Sequence, residues 1–414
     1  MRTAQLLGRR VLVMAPLGFA SGLPLALSGA TLQAWLTVSG VDLAAIGLYT
    51  LVGLPYTFKF LWSPLMDRFV PPWLDRRRGW MLATQLALAA GIAAMAALEP
   101  AAAPLAVAAL ALAIAFASAS QDIAFDAYRA DVLRPAERGL GAAVSVAAYR
   151  VAMLVSGAGA LVVAERAGWP AAWLAMALLM AVGVAGTLAG PAPERPAPPP
   201  ASLAEAVGGP FRAFFRRRGA WALLALVVLY KLGDAFAGTL TTAFLIRGVG
   251  LGLAEVGLYS KVLGLAALLA GALWGGAWMA RLGLWRALML FGLLQALTNL
   301  GFLALLATGP VPALVAAVVG LENLAGGMGT AAFVALLMGL CDHRYTATQF
   351  ALLSALAAVG RVLVGPGAGL VAEHQGWAAY FLASFAAALP GLVVLAALRP
   401  AVEAAGADGG GEGR

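Results

Sequence analysis

Nine charged side chains within apolar segments of this sequence are the residues whose types could do chemistry. A charge at the centre of a bilayer costs about 2.5–3.5 kcal/mol on insertion scales, so each one needs a partner, a water-filled cavity or a function. They are Lys59, Asp122, Asp126, Arg150, Lys231, Asp234, Lys261, Glu322 and Arg361.

The four carboxylates of this set are candidates for carrying a proton. Glu322 is the first choice because it lies near the middle of its segment, where burial disfavours the charged form of a carboxyl group. Asp122, Asp126 and Asp234 are the further candidates. Two alternatives stay open: Asp126 pairs near the end of its helix, and Asp234 is neutralised by Lys231, three residues earlier on the same helical face.

The basic residues of the set are candidates for binding an anion. Arg150 and Arg361 occupy matching positions in the fifth and eleventh apolar segments. An arginine cannot shed its charge, so each either pairs with an internal carboxylate or waits for an anionic ligand group, which a guanidinium can grip with two hydrogen bonds. Lys59 has two interpretations, a cavity role or a side chain that extends to the membrane surface. Tyr56 and Tyr149 lie deep enough in their segments to line a cavity.

The composition excludes a water-soluble protein. The 414 residues are 62% hydrophobic and 11% charged, with a mean hydropathy of +0.90, whereas soluble domains carry about 25% charged residues. Apolar runs without period-two alternation favour helices over a closed barrel as the membrane-spanning structure. One cysteine, Cys341, and two histidines, His343 and His374, argue against a metal site. The net charge of +8 is a topology signal here, and we expect no nucleic-acid partner.

Twelve apolar segments bounded by charge, Pro or Gly predict twelve transmembrane helices. A Pro-rich stretch that ends in Arg216-Arg217-Arg218 divides them into two groups of six, and it predicts a linker with an interfacial basic helix. The segments are 11–38, 43–65, 79–98, 104–128, 140–163, 169–189, 220–246, 252–280, 287–308, 311–340, 347–371 and 377–398. The predicted organisation is a six-helix bundle over 1–189, a cytoplasmic linker over 190–219, a second six-helix bundle over 220–398 and a cytoplasmic tail over 399–414.

The two groups of six segments are related to each other. Residues 41–49, VDLAAIGLY, resemble residues 251–259, LGLAEVGLY, and residues 165–169, ERAGW, match residues 373–377, EHQGW. The offset stays near 210 residues, as expected for a duplicated six-helix unit.

The placement of basic residues predicts the orientation of the chain. Of the 27 Lys and Arg residues, 22 lie outside the segments, and all but Arg166 and Arg247 of these fall on one side. By the positive-inside rule, both termini and the linker are cytoplasmic. The first segment follows Arg9-Arg10 but has no clear cleavage site, so we expect it to remain as a transmembrane helix.

The loop between the second and third segments carries a motif with a family resemblance. Residues 58–68 read FKFLWSPLMDR, and residues 76–80 read RRRGW. Together with GFASGLP over 18–24 and SQDIAFDA over 120–127, this loop resembles the AmpG-type muropeptide permease family. The resemblance covers most of the first half of the chain, and the second half is similar mainly in pattern.

The same loop is similar to the general signature of facilitator proteins, which implies a role in gating. Its duplicate over 276–286 keeps the basic residues but lacks the acid, so a latch of the Asp67 type is expected in the first half alone. The predicted gating residues are Asp67, Arg68, Arg76, Arg77, Arg78 and Arg281.

The resemblance implies an all-α membrane protein with the major facilitator fold, twelve transmembrane helices in two pseudo-symmetric six-helix bundles. It implies a monomer in the lipid bilayer of the bacterial inner membrane that imports anhydro-muropeptides from periplasm to cytoplasm. The proton gradient would drive this symport with no other cofactor. Arg150, Arg361 and Lys231 would suit the carboxylates of such a substrate. The other residues expected to bind it are Gln121, Asn323, Tyr149, Tyr56 and Lys59.

Two other classes of function compete with this interpretation. A carrier of acetyl-CoA or another organic anion shares the character of the motif after the second segment, and it should have more interior cations than carboxylates. Five basic against four acidic residues do not decide between the two carriers. An intramembrane enzyme would need a metal-ligand or nucleophile–base constellation, and a receptor would need a soluble output domain; the sequence shows neither. We therefore expect a transporter without enzymatic activity.

Overall fold

The computed structural model describes residues 8–134, 137–192, 219–340 and 346–408, and every regular element in these ranges is helical. Nine stretches of this described chain are long and apolar enough to cross a membrane. A helix satisfies its backbone N–H and C=O groups with its own hydrogen bonds, because the bilayer core offers them no partners. The predicted all-helical membrane fold is confirmed, while the exact count of twelve transmembrane helices stays a prediction.

The helices belong to two compact units. The first bundle comprises Met1–Val41 and Val52–Ala201, and the second bundle comprises Asp42–Leu51 and Ser202–Arg414. The helices of the first bundle are α1 (Arg9–Leu12), α2 (Met14–Leu27), α3 (Ala30–Val38), α5 (Leu54–Phe58), α6 (Ser63–Arg68), α7 (Arg76–Met95), α8 (Pro104–Val132), α9 (Arg138–Leu154) and α10 (Ala160–Ala189). Those of the second bundle are α4 (Leu43–Leu48), α11 (Ala220–Tyr230), α12 (Leu232–Ala243), α13 (Leu253–Val256), α14 (Gly264–Leu282), α15 (Leu284–Asn299), α16 (Gly301–Thr308), α17 (Pro312–Gly339), α18 (Thr346–Ala397) and α19 (Arg399–Asp408).

Two long helices, one in each bundle, run without interruption and carry the leading proton-carrier candidates. α8 has 29 residues and contains Asp122, and α17 has 28 residues and contains Glu322. Elsewhere short 3₁₀ and π turns break the helical path, a feature that often accompanies functional sites. The 3₁₀ turns cover Tyr49–Gly53 and Lys59–Leu61, and the π turns cover Val155–Gly159, Phe244–Gly248 and Gly257–Leu263.

Two glycines turn the chain sharply at equivalent places in the duplicated halves. Gly168 in α10 has φ 84° and Gly376 in α18 has φ 79°, in the left-handed region that a residue with a Cβ rarely adopts. Each glycine interrupts the helical conformation and so divides its long helical stretch into two helices. The related sequences at 165–169 and 373–377 therefore encode the same turn.

Each bundle has its own packed interior. In the first bundle, the fully buried Tyr128 and Met81 pack with Phe125. In the second, the rings of Tyr230 and Phe333 stack with centroids 5.4 Å apart, and both belong to one buried cluster. Because lipid tails are as apolar as these side chains, close packing and interhelical hydrogen bonds hold such helices together.

Most of the segment predicted as a tail is a helix that packs on the second bundle. In α19, Val402 is fully buried and Ala405 is 7% exposed, and both belong to the buried cluster of that bundle. Arg399 pairs with Glu403 at 2.9 Å and lies 4.7 Å from the ring centroid of Trp285. Low hydropathy hid this helix from the sequence analysis, although the one-turn spacing of Arg399 and Glu403 is a helical signal.

Candidate functional site

A cavity of about 280 Å³ lies inside the first bundle, between α2, α8 and α9. The lining is rich in polar and charged side chains, which is unusual for the interior of a membrane bundle. The lining residues are Ser21, Asp122, Phe125, Asp126, Arg129, Ser145, Val146, Tyr149 and Arg150. Four of the residues singled out from the sequence, Asp122, Asp126, Tyr149 and Arg150, therefore meet at one place.

Asp122 is held in the cavity wall by a neighbouring helix. The Ser21 hydroxyl, on α2, donates a hydrogen bond to a carboxylate oxygen of Asp122 on α8. Lys59 is near enough to interact electrostatically with this carboxylate, and so is Asp126, one turn further along α8. Asp122 is therefore a partly buried carboxylate with one hydrogen-bond donor, Ser21, and one nearby cation, Lys59. Among the described residues, Lys59 acts on Asp122 through its charge and does not form an ion pair with it.

Asp126 lies nearer to the surface than Asp122. It pairs with Arg129 at 3.0 Å, with side chains 54% and 31% exposed. Arg129 also donates to the Ser145 hydroxyl at 3.2 Å. This ion pair agrees with the alternative that Asp126 forms a pair near the end of its helix. A proton-carrying role for Asp126 stays a prediction.

Arg150 is one of the two arginines that line the cavity, and Arg129 is the other. The guanidinium of Arg150 is half-buried and lies 3.9 Å from the Met153 sulfur. Among the described residues, no carboxylate lies within ion-pair distance of it. An arginine that keeps its charge in a membrane interior needs an anionic or polar partner. The predicted role of Arg150 in binding an anionic group of a ligand stays a prediction.

The tyrosines and Gln121 have different surroundings. Tyr149 lines the cavity, and the Tyr56 hydroxyl lies 3.2 Å from the hydroxyl of Ser28. Gln121 is 1% exposed, and neither of its side-chain polar atoms has a partner in the described part of the chain. It faces the packed interior and not the cavity, so its predicted role in substrate binding stays untested.

The second bundle holds a separate group of charged and polar side chains at the α11–α12 break and on α12, α15 and α17. Lys231 lies at the break between α11 and α12 and pairs with Asp234 at 3.2 Å. Its ammonium also lies 3.4 Å from the Gln295 side-chain oxygen on α15. Lys231 and Asp234 therefore neutralise each other locally, which agrees with the alternative that Asp234 is neutralised by Lys231.

Glu322 lies on α17, within electrostatic range of this pair. Both Asp234 and Lys231 act on its carboxyl group. Asn323 donates to Glu322 Oε2 at 2.7 Å and to the Val319 carbonyl at 2.9 Å, so its amide orients the carboxylate. Arg361 on α18 is exposed and has no carboxylate partner among the residues that the structure describes.

Three of the predicted gating residues, Arg76, Arg77 and Arg78, lie at the start of α7. Asp75 caps this helix by accepting from the Arg78 backbone N–H at 3.2 Å, and Arg78 donates to the Gly190 carbonyl at 2.7 Å. Arg77 pairs with Asp131 at 3.1 Å. Arg76 begins the helix, and Arg68 and Arg281 are exposed at the ends of α6 and α14. The Asp67 side chain lies outside the described part, so its latch role stays a prediction.

Sequence reasoning missed Ser21, Gln295, Asp75 and Asp131 as functional partners. The first two are neutral polar residues in apolar runs, and only a tertiary contact shows what they bind. Asp131 lies four residues after the SQDIAFDA motif, and its acidic position at the end of a helix was the available signal. Within the described ranges, no group of three or more His, Cys, Asp or Glu side chains is arranged to hold a metal ion.

The all-helical fold, the apolar stretches long enough to cross a membrane and the charged cavity are features of polytopic transporters, and comparisons with known proteins show the family. The sequence model of the Major Facilitator Superfamily matches residues 14–321. The chain is 55% identical over 395 residues to the anhydromuropeptide permease of Escherichia coli (strain K12), which covers 95% of this chain and 80% of that protein. It is also 33% identical over 389 residues to the putative transporter AmpG 4 of Rickettsia conorii, with 92% of this chain and 94% of that protein covered.

Solved structures share the fold at low sequence identity. The nucleoside transporter NupG matches with a TM-score of 0.71 at 17% identity, over 94% of this chain and 98% of that one. A POT family transporter in complex with a thioalcohol-conjugated peptide matches with a TM-score of 0.71 at 12% identity, over 97% of this chain and 100% of that one. The chain belongs to the Major Facilitator Superfamily and, within it, to the family of the AmpG anhydromuropeptide permeases.

Proposed function

We propose that this protein is a proton-coupled symporter that imports anhydro-muropeptides, GlcNAc-anhydroMurNAc with or without peptide, from the periplasm to the cytoplasm for peptidoglycan recycling. The similarity to permeases of this substrate class supports the choice of cargo. The cavity of the first bundle is the observation on which the mechanism rests. Asp122 and Arg150 line it, and within the described residues neither forms an ion pair.

The two charges suit different parts of the task. Arg150 offers a planar set of donors that can bind a carboxylate of the peptide or the sugar with two parallel hydrogen bonds. Tyr149 and the Ser145 hydroxyl line the same cavity and can hydrogen-bond sugar hydroxyls or peptide amides. Asp122 can exchange a proton with water in the cavity, because a carboxylate with a single hydrogen-bond donor is not locked in its charged form.

The second bundle supplies the other proton-coupling candidates, Glu322 and the Lys231–Asp234 pair. Proton uptake by Glu322 would remove a negative charge next to Asp234, so protonation would change the balance of charges in that bundle. Such a change can alter the relative free energies of two conformations. The proton gradient is the energy source in this proposal, with no further cofactor, and the protein works as a monomer in the inner membrane with both termini cytoplasmic.

Uptake by purified protein in liposomes tests this function. Labelled anhydro-muropeptide should accumulate when the outside is more acidic than the lumen, and a protonophore should abolish the accumulation. Equal uptake with and without the gradient would contradict proton coupling, and accumulation of acetyl-CoA in place of the muropeptide would favour the organic-anion alternative.

The variant Arg150→Lys tests the binding role. Lysine keeps the charge but loses the bidentate geometry, so KM for the peptide-bearing substrate should rise about tenfold, the effect of losing one good hydrogen bond to a charged group. The peptide-free disaccharide carries fewer carboxylates and should be affected less. Equal weakening of both substrates would reassign Arg150 to an internal structural role.

A further inference from the structure

Gln295 is a buried amide that reaches the charged pair of the second bundle from a neighbouring helix. It lies on α15, is 4% exposed, and places Oε1 3.4 Å from the ammonium of Lys231. Its Nε2 atom has no partner in the described part of the chain. A polar side chain is costly in such an interior unless it makes a hydrogen bond, and the contact with Lys231 is the bond that Gln295 makes.

The helix that carries Gln295 is fixed on both sides of the Lys231 break. The Tyr230 hydroxyl donates to the Leu288 carbonyl of α15 at 2.9 Å. On the other side, the Asn299 amide lies 3.5 Å from the Gly233 carbonyl. Since α15 contacts the residues that precede and follow Lys231, the distance from Gln295 to Lys231 is set by three contacts along one helix.

Gly329 on α17 leaves the space in which Gln295 Oε1 lies. A Cβ added at Gly329 would meet this oxygen at 2.8 Å and the Lys231 ammonium at 3.9 Å. One turn away on the same helix, a Cβ at Gly326 would lie 3.5 Å from Gln295 Nε2, an ordinary contact distance. The two glycines therefore differ in a useful way: an added methyl at one displaces the hydrogen-bonding oxygen, and at the other it is accommodated.

We propose that Gln295 is a positioning residue for proton coupling, which holds the Lys231 ammonium beside Asp234 within reach of Glu322. The inference rests on the proposed function, since it assigns a part to Gln295 in the coupling that function requires. The charged groups around Lys231 in the described chain are Asp234 on its own helix and Glu322 on α17. A lysine carries its ammonium on a flexible four-carbon stem, and an acceptor oxygen on a neighbouring helix restrains the position of that ammonium.

Two variants of similar size separate the acceptor from the volume that it fills. Gln295→Met removes the oxygen, and uptake driven by the proton gradient should fall about tenfold, as expected for losing a hydrogen bond to a charged group. Gln295→Glu keeps an acceptor oxygen, and because Nε2 makes no hydrogen bond, its replacement by oxygen loses none. This variant should retain at least half of the wild-type gradient-driven uptake, a rescue that a purely structural role does not predict.

The glycine pair provides an independent test with the side chain of Gln295 left unchanged. Gly329→Ala should reproduce the loss seen with Gln295→Met, while Gly326→Ala should transport like the wild type. For each variant, exchange of labelled for unlabelled anhydro-muropeptide across the liposome membrane without a gradient should stay within about twofold of wild type. The reason is that the proposed function places substrate binding in the cavity of the first bundle. Thermal unfolding in detergent reports whether each variant is folded.

The outcomes distinguish this inference from the function on which it rests. Normal gradient-driven uptake by Gln295→Met would overturn the positioning role and leave the symporter intact. Equal loss of driven uptake and exchange in Gln295→Met, with no rescue by Gln295→Glu, would make Gln295 a packing residue and overturn the inference as well. A wild-type protein whose uptake ignores the proton gradient would instead refute the proposed function itself.

Discussion

Arg77 at the start of α7 and Asp131 at the end of α8 form an ion pair of 3.1 Å, with side chains 12% and 17% exposed. The pair joins two helices that are neighbours in the first bundle. It lies beside Asp75, which caps α7 and contacts Arg78. Part of the arginine cluster that the sequence assigns to gating is thus engaged in holding two helix ends together.

The first prediction concerns this pair. Asp131→Asn should lower the unfolding temperature in detergent, because it removes a charge-charge contact between two helix ends that are little exposed to solvent. A double-mutant cycle with Arg77→Gln should give a coupling energy of about 1–2 kcal/mol, between the values typical of exposed and buried pairs. Arg68, which is exposed at the end of α6, provides the control: Arg68→Gln should leave the unfolding temperature nearly unchanged. A coupling energy near zero would mean that the pair contributes nothing to stability.

The second prediction concerns the close packing of α4 on α18 in the second bundle. A Cβ at Gly365 would lie 1.8 Å from the Thr50 hydroxyl oxygen and 2.7 Å from the Gly47 carbonyl oxygen. Gly365→Ala should therefore force the two helices apart and destabilise the protein by about 1–3 kcal/mol, the usual cost of overpacking. Thermal unfolding and uptake rate measure the effect.

Gly367 is the matched control for that substitution. It lies on the same helix, two residues further on, and a Cβ there would meet nothing within 4 Å. Gly367→Ala should be neutral or slightly stabilising, since alanine is the better helix former. Equal effects of the two substitutions would show that helix propensity, and not the contact with α4, determines the result.

The all-helical membrane fold could be predicted from the sequence because transmembrane helices are recognisable by their length and apolarity. The matching ERAGW and EHQGW segments, which the sequence analysis used as a sign of duplication, contain the two equivalent turns at Gly168 and Gly376. Asp122 and Glu322 could be singled out because a carboxylate in an apolar run is costly and therefore rare.

Other parts of the site depend on contacts between distant residues and could not be read from the chain. Ser21 and Asp122 are separated by 101 positions, and Lys231 and Gln295 by 64. A serine or glutamine in an apolar run is common enough to carry no signal until its partner is known. The burial of Gln121 depends in the same way on which face of α8 packs inward, and the sequence of α8 alone does not show which face that is.

The third prediction concerns topology. Cys341 lies outside the described residues, and the positive-inside rule places it on the cytoplasmic side. A membrane-impermeant maleimide should therefore label it in inside-out vesicles and leave it unlabelled in intact spheroplasts. The chain has one cysteine, so Cys341→Ser gives the background. Labelling confined to spheroplasts would reverse the predicted orientation of the second bundle.

The last prediction concerns the proton. Glu322 accepts a hydrogen bond from Asn323 at 2.7 Å, and glutamine at this position has an oxygen that can accept the same bond. Glu322→Gln therefore mimics the protonated acid with little change in volume or hydrogen bonding. Because it cannot release a proton, it should abolish accumulation of anhydro-muropeptide against a gradient, while exchange of bound substrate across the membrane should persist.

The same chemical change elsewhere in the second bundle isolates the effect of position. Glu255 in the first turn of α13 accepts from the Gly252 backbone N–H at 2.9 Å and is exposed, so Glu255→Gln preserves an acceptor without touching the charged interior. It should accumulate substrate like the wild type. If Glu322→Gln also accumulates normally, the coupling role moves to Asp122, which has a cavity, a hydroxyl donor and a nearby cation of its own. In that case Asp122→Asn should separate exchange from accumulation, because it keeps an oxygen for Ser21 and removes the exchangeable proton.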